Sequence, residues 1–110
     1  MWSAERQGDV VIGRWDGRID ELHWEAFAEA LKGGVASAEG ATRMVLDLSG
    51  VEYLSSRGLR ALTLGKRDAD AVGLPLILAE PNELVREILE ISRYDKIFTV
   101  RDTVANALAG

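Results

Sequence analysis

Residues 51–60, VEYLSSRGLR, set two adjacent hydroxyls, Ser55 and Ser56, between the apolar pair Tyr53-Leu54 and Gly58. A helical pattern follows at once, so the serines occupy a strand-to-helix turn. Two chemistries suit them there. A hydroxyl just before a helix accepts a backbone N–H of the first turn and caps it. The same helix end carries unpaired N–H groups and the positive pole of the dipole, so it also tolerates a phosphate ester. Gly58 leaves room for close approach. At least one serine is expected to cap, and the residue types alone leave a second role open.

Asp47 is the other candidate. An acid in the apolar run Met44–Leu48 costs free energy unless it ends the strand or is paired. It is expected at the carboxyl end of its strand, bonded to loop amides. A phospho-accepting aspartate of the response-regulator type would also suit the run VLDL. That chemistry needs a pair of acids after the first strand and a lysine closing a late strand. The first strand ends in GRWDGRID, and Lys96 precedes its strand. The single histidine, His23, has no cysteine or second histidine to join it in a metal site and is expected at the surface. No GxGxxG, P-loop, GxSxG or HExxH spacing is present, and no carboxylate pair has a defensible spacing. The pattern favours a binding module over an enzyme, with no cofactor.

The elements that must position these residues alternate. VVIGRW predicts a strand, with a weaker strand pattern in residues 1–6. IDELHWEAFAEALKG predicts a helix capped by Asp20 and stopped by Gly33-Gly34. TRMVLDLSG predicts a strand covered on both faces. A helix is expected from about Arg57 to Ala71, lined by Leu62, Gly65, Ala69 and Val72. LPLILAE predicts a strand, and PNELVREILEIS a helix with Pro81 in its first turn and a stripe of Leu84, Ile88 and Ile91. KIFTV predicts a last strand, and Asp102 is placed to cap a final helix. Such alternation favours right-handed crossovers, so the fold class is α/β, with a largely parallel sheet.

With 110 residues, the chain is long enough for one packed core and too short for two, so residues 1–110 are expected to form one domain. The net charge of −5 and scattered arginines argue against nucleic-acid binding and against an anionic membrane surface. No apolar run approaches a membrane span, and MWSAERQGDV lacks the apolar core of a signal peptide, so a cytoplasmic location is expected. The absence of cysteine excludes disulfides.

The segment MVLDLSGVEYLSSRGLRAL resembles the centre of STAS domains, specifically the bacterial anti-sigma factor antagonists. In them a strand ending in a D-L-S-like run is followed by an aromatic and an apolar residue, then a D/S-S-S/T/A-G-L turn and a helix. The resemblance extends to VVIGRWDGRID, where Gly13-Arg14-Trp15-Asp16 matches the family's G-x-L-D turn. It also covers GLPLILAEPNELVREILEISRYDKIFTV. It implies a STAS-type single domain with a four- to five-stranded mixed sheet and about four helices. It further implies a partner switch. The unphosphorylated antagonist binds an anti-sigma factor that is also a serine kinase of the histidine-kinase-like ATPase fold, and a PP2C-type phosphatase reverses the modification. The acceptor stands two residues before the glycine, here Ser56. Asp16, Asp47, Ser55, Arg57 and Gly58 would flank the partner-binding face. Two positions depart from the family's pattern: Ser55 replaces a frequent aspartate, and Arg57 replaces Ser, Thr or Ala. A non-switching STAS subunit of a transporter-associated or stressosome-like assembly is the alternative.

Overall fold

The computed structural model describes residues 1–109. In chain order it contains β1 (Trp2–Gln7), β2 (Val10–Trp15), β3 (Gly17–Ile19), α1 (Trp24–Ala36), β4 (Arg43–Asp47), β5 (Val51–Leu54) and α2 (Ser56–Ala71). β6 (Leu76–Ala79), α3 (Glu83–Ile91), a 3-10 turn at Tyr94–Lys96, β7 (Thr99–Arg101) and α4 (Val104–Ala109) complete it. Five strands form one sheet in the order β1-β2-β4-β6-β7. β1 runs antiparallel to β2, and the remaining pairs are parallel. The expected α/β architecture with a mixed, largely parallel sheet is therefore observed. The weak pattern of residues 1–6 is a full strand, because pairing with β2 satisfies a backbone whose side chains are mostly exposed.

Alternate residues of the central strands point to opposite faces, as strand geometry requires. Val11, Met44, Leu46 and Leu78 meet Phe27 and Leu31 of α1, Ala61 and Leu62 of α2, and Val85 and Leu89 of α3. Val10, Ile12, Val45 and Ala79 face the other way, where Ala107 of α4 is buried with them and Val104 and Leu108 pack alongside. Three helices cover one face and one short helix covers the other. β4 is buried on both, as its apolar run predicts.

Several local expectations are corrected. Asp20 does not cap α1. Residues 21–23 form a turn and α1 starts at Trp24, with the Asp20 carboxylate spent on the Leu22 N–H and His23. Nor do Gly33 and Gly34 stop α1. Both lie inside α1, and at Gly34 the Trp2 indole fills the space where a Cβ would stand. Val72 lies past the end of α2 and is exposed. α3 is capped by Asn82, whose Oδ1 accepts the Val85 N–H at 2.7 Å, with Pro81 just before it. Its buried residues are Val85 and Leu89, while Leu84 and Ile91 face outward. Thr103 accepts the Asn106 N–H at the start of α4, and Asp102 instead pairs with Arg86.

One feature lies outside the sequence-based expectation. β3 and β5 form a parallel two-stranded ladder apart from the main sheet, with Ile19 opposite Leu54. The ladder's register shifts between Gly17 and Arg18, so that Gly17 stands opposite Val51 and Arg18 opposite Tyr53. Gly17 has φ +115°, a conformation that glycine adopts without a Cβ penalty. Asp16 is thus a one-residue break between two strands, not part of a closed turn.

Candidate functional site

The β3–β5 ladder delivers the serine turn. After Leu54 the Ser55 N–H donates to the Ile19 carbonyl at 2.9 Å, which fixes the start of α2 against β3. Ser55 is extended (φ −82°, ψ 174°), and its Oγ accepts the Gly58 N–H at 3.2 Å. Its carbonyl accepts the Leu59 N–H at 2.9 Å. Ser55 is therefore the N-cap and is buried. Ser56 is the first helical residue and is exposed, and its hydroxyl forms no hydrogen bond among the described residues. One serine serves the fold, and the other is left facing solvent at the positive end of a 16-residue helix.

Gly58 is dictated by packing. A Cβ there would stand 2.8 Å from the Ile19 carbonyl oxygen and 2.9 Å from its Cγ2. The close approach it permits is that of its own β3.

Arg57 is exposed and engaged. Its Nε lies 3.0 Å from Glu21 Oε2, and its guanidinium lies over the Trp24 ring, 5.6 Å from the centroid. The pair links the first turn of α2 to the segment leading into α1, where Leu22 is 87% exposed. Beside it the Asp20 carboxylate accepts from Leu22 N–H and Arg18 Nε, and lies 2.6 Å from His23 Nδ1. Its pKa is lowered, by the His23 hydrogen bond above all, with Arg18 and the Leu22 amide helping to outweigh the opposing effect of desolvation. Arg18 also lies over the Tyr53 ring at 4.6 Å. Glu21, Trp24 and the Asp20–His23 pair are the members of this face that sequence reasoning missed. Arg57 reaches Glu21 and Trp24 from a segment far away in the chain, which no local spacing signals, whereas Asp20–His23 is a local i,i+3 contact.

The remaining candidates sit elsewhere on the strand ends. Asp47 closes β4, opposite Arg14 in the β2–β4 register. It is almost wholly buried. Burial alone would raise its pKa, but the Ser49 N–H (2.9 Å to Oδ1), the Ser49 side chain and Arg14 (Nε to Oδ2, 2.8 Å) outweigh it, and the carboxyl is held below the usual range. That is the strand-end aspartate bonded to a loop amide that the sequence predicts. Asp16 is exposed and lies against Gly50, whose missing Cβ makes room for its carboxylate. The candidates therefore fall into two groups. Asp16 and Asp47 flank the Ser49-Gly50 turn, and Ser55–Gly58 lie beyond the four residues of β5, roughly 13 Å of extended chain.

Among the described residues no cluster of three or more histidine, cysteine, aspartate or glutamate side chains is placed to hold a metal. A cleft of about 600 Å³ lies between the C-terminal ends of α1 and α2, lined by Val35, Ala38, Val72 and Leu74 among others. It is a helix length, about 24 Å, from Ser56. No helix among the described residues is long and apolar enough to cross a membrane.

The family model for the STAS domain matches residues 1–107. A candidate anti-sigma factor antagonist of Bordetella bronchiseptica, BtrV, is 38% identical over 76% of this chain and 74% of its own length. The anti-sigma-F factor antagonist RsfB of Mycobacterium tuberculosis is 30% identical over 97% of this chain and 84% of its own. The phosphorylated form of the Bacillus cell fate determinant SpoIIAA superposes with a TM-score of 0.70 at 17% identity, covering 99% of this chain and 97% of that one. The five-stranded mixed sheet with four helices is thus that of a STAS domain, and the chain belongs to the STAS family.

Proposed function

We propose that this chain is an anti-sigma factor antagonist, a non-enzymatic cytoplasmic binding module switched by phosphorylation of Ser56. The observation that carries the reading is the division of labour in the turn. Ser55 takes the cap, and Ser56 is left exposed, unbonded and at the start of α2. The partner is an anti-sigma factor that is also a serine kinase of the histidine-kinase-like ATPase fold. It docks on the face made by the α2 N-terminus and the segment from Glu21 to Trp24, with Ser55 and Gly58 shaping the turn from below. Arg57 offers a cation at that face, and exposed Leu22 offers apolar surface. Asp16 extends the face toward β2, and buried Asp47 acts on it by fixing Arg14 and the Ser49 amide.

The kinase transfers the γ-phosphoryl of ATP to Ser56 Oγ. The Oγ–P bond forms, the bond to the ADP oxygen breaks, and the hydroxyl proton is released. A PP2C-type phosphatase hydrolyses the ester and restores the serine. The phosphate brings roughly −1.5 to −2 charges at neutral pH. A docked interface must then desolvate that charge, and a cost of a few kcal/mol reverses a binding preference.

The test is incubation with the anti-sigma factor kinase and ATP, followed by mass spectrometry and binding measurements. One phosphate on Ser56, binding retained in Ser56→Ala and binding lost in Ser56→Asp are expected. Absence of label on Ser56, or equal affinity for the two variants, overturns the reading.

A second reading draws on the outward apolar residues Leu84, Ile91 (80% exposed) and Ile97. In it the chain is a permanent STAS subunit of a larger assembly and Ser56 never switches. Co-purification in a fixed stoichiometry that Ser56→Asp leaves intact would favour it.

A further inference from the structure

The turn carries two arginines, and only one is engaged. Arg57 follows Ser56 directly, so its side chain leaves the helix about 100° further round. It is held by Glu21 and stacked over Trp24. Arg60 stands four residues after Ser56 in α2, is exposed, and forms no hydrogen bond or ion pair among the described residues. Residues four apart on a helix lie on one face with Cβ atoms about 5–6 Å apart, and an anion N-terminal to a cation is the favoured order. A guanidinium suits a phosphate oxygen pair through two parallel N–H bonds.

We infer that Arg60 is the phosphate-binding residue of this chain: it pairs with a phosphoryl group on Ser56 across one helical turn, while Arg57 stays with Glu21. The inference rests on the reading of Ser56 as the modified residue. It adds a consequence for regulation. In the unmodified chain Arg60 is an unpaired cation one turn from the docking serine, available to an acidic group of the partner. Phosphorylation then acts twice, by adding charge at Ser56 and by withdrawing the Arg60 cation into an internal pair. The pair also anchors the phosphate along α2, so the modified turn needs no rearrangement of the Glu21–Arg57 link.

The test uses the full chain with phosphoserine placed at residue 56 during translation, so neither kinase nor partner enters. Its phosphorus resonance is followed through the second ionisation of the phosphate, about pH 6 in an unpaired ester. The midpoint is expected about 0.2–0.4 lower with Arg60 present than in Arg60→Gln, the size set by an i,i+4 ion pair. Arg60→Lys should recover part of the difference, and Arg57→Gln should leave the midpoint where it is. Equal midpoints with and without Arg60, or a change carried by Arg57→Gln alone, overturn the inference. Failure of a kinase to label Ser56 would instead sink the proposed function and leave this measurement standing.

Discussion

Arg14 and Asp47 are direct partners in the β2–β4 ladder, and the Arg14 Nε–H reaches Asp47 Oδ2 over 2.8 Å. The carboxylate is buried and the guanidinium is partly exposed, so one charge depends on the other far more than the reverse. The pair holds the ends of both strands in register just where the chain leaves the sheet for the β3–β5 ladder.

Asp47→Asn should therefore cost about 2 kcal/mol at neutral pH, the usual loss for a buried hydrogen bond to a charged group. The sign of the pH dependence follows from the lowered pKa of Asp47. Its contribution is fully present above the unfolded value, about 3.9, and is lost as pH falls through the folded value. Urea unfolding at a series of pH values should show the wild type losing more stability than Asp47→Asn on going from neutral pH to about pH 3. Parallel curves would show that the pair contributes nothing.

The two serines should separate cleanly. Ser55→Ala removes the cap and should destabilise the chain by about 1 kcal/mol in urea unfolding. Ser56→Ala removes no observed bond and should change stability by less than about 0.5 kcal/mol. Equal effects would mean that the cap is shared.

Two glycines of helical backbone should respond in opposite directions. Gly58→Ala forces a methyl against the Ile19 carbonyl and should cost about 2–3 kcal/mol. Gly33→Ala meets nothing within 4 Å at an exposed position of α1 and should gain about 0.5–1 kcal/mol from helix propensity. Denaturation midpoints measure both, and a neutral Gly58→Ala would show that β3 yields easily.

Trp2 is a half-exposed side chain that fills the space left by Gly13 and Gly34. Trp2→Ala should loosen β1 from the sheet and cost about 2 kcal/mol, less than a fully buried tryptophan. Amide exchange should rise in β1 and β2 and stay unchanged in β6. Uniform acceleration would indicate global destabilisation instead.

The parts of this molecule legible in the sequence are those set by short-range pattern. Met44–Leu48 announces a doubly covered strand, and Tyr53 to Gly58 announces a strand-to-helix turn, because periodicity and capping chemistry act over a few residues. What escaped depends on distant partners. Leu84, Ile88 and Ile91 lie at helical spacing as well as Val85 and Leu89 do, and the position of α3 against β5, where Asn82 donates to the Val51 carbonyl, chooses between them. β3 is three residues long and exists because β5 pairs with it. The contacts of Arg57 are unreadable in the sequence for the same reason, since Glu21 and Trp24 reach it from another element.

The detachment of β3–β5 from the five-stranded sheet has a consequence for how such a protein diversifies. In the proposed function the residues that meet a partner stand on the segment after β3 and on the exposed first turns of α2, while Ile19, Val51 and Leu54 of the ladder are buried in the main core. On that proposal, substitutions at the exposed Glu21, Leu22, Arg57 or Arg60 redraw which partner is recognised without reopening the main core. Duplicated copies in one cell can then diverge into insulated signalling pairs while keeping a common scaffold.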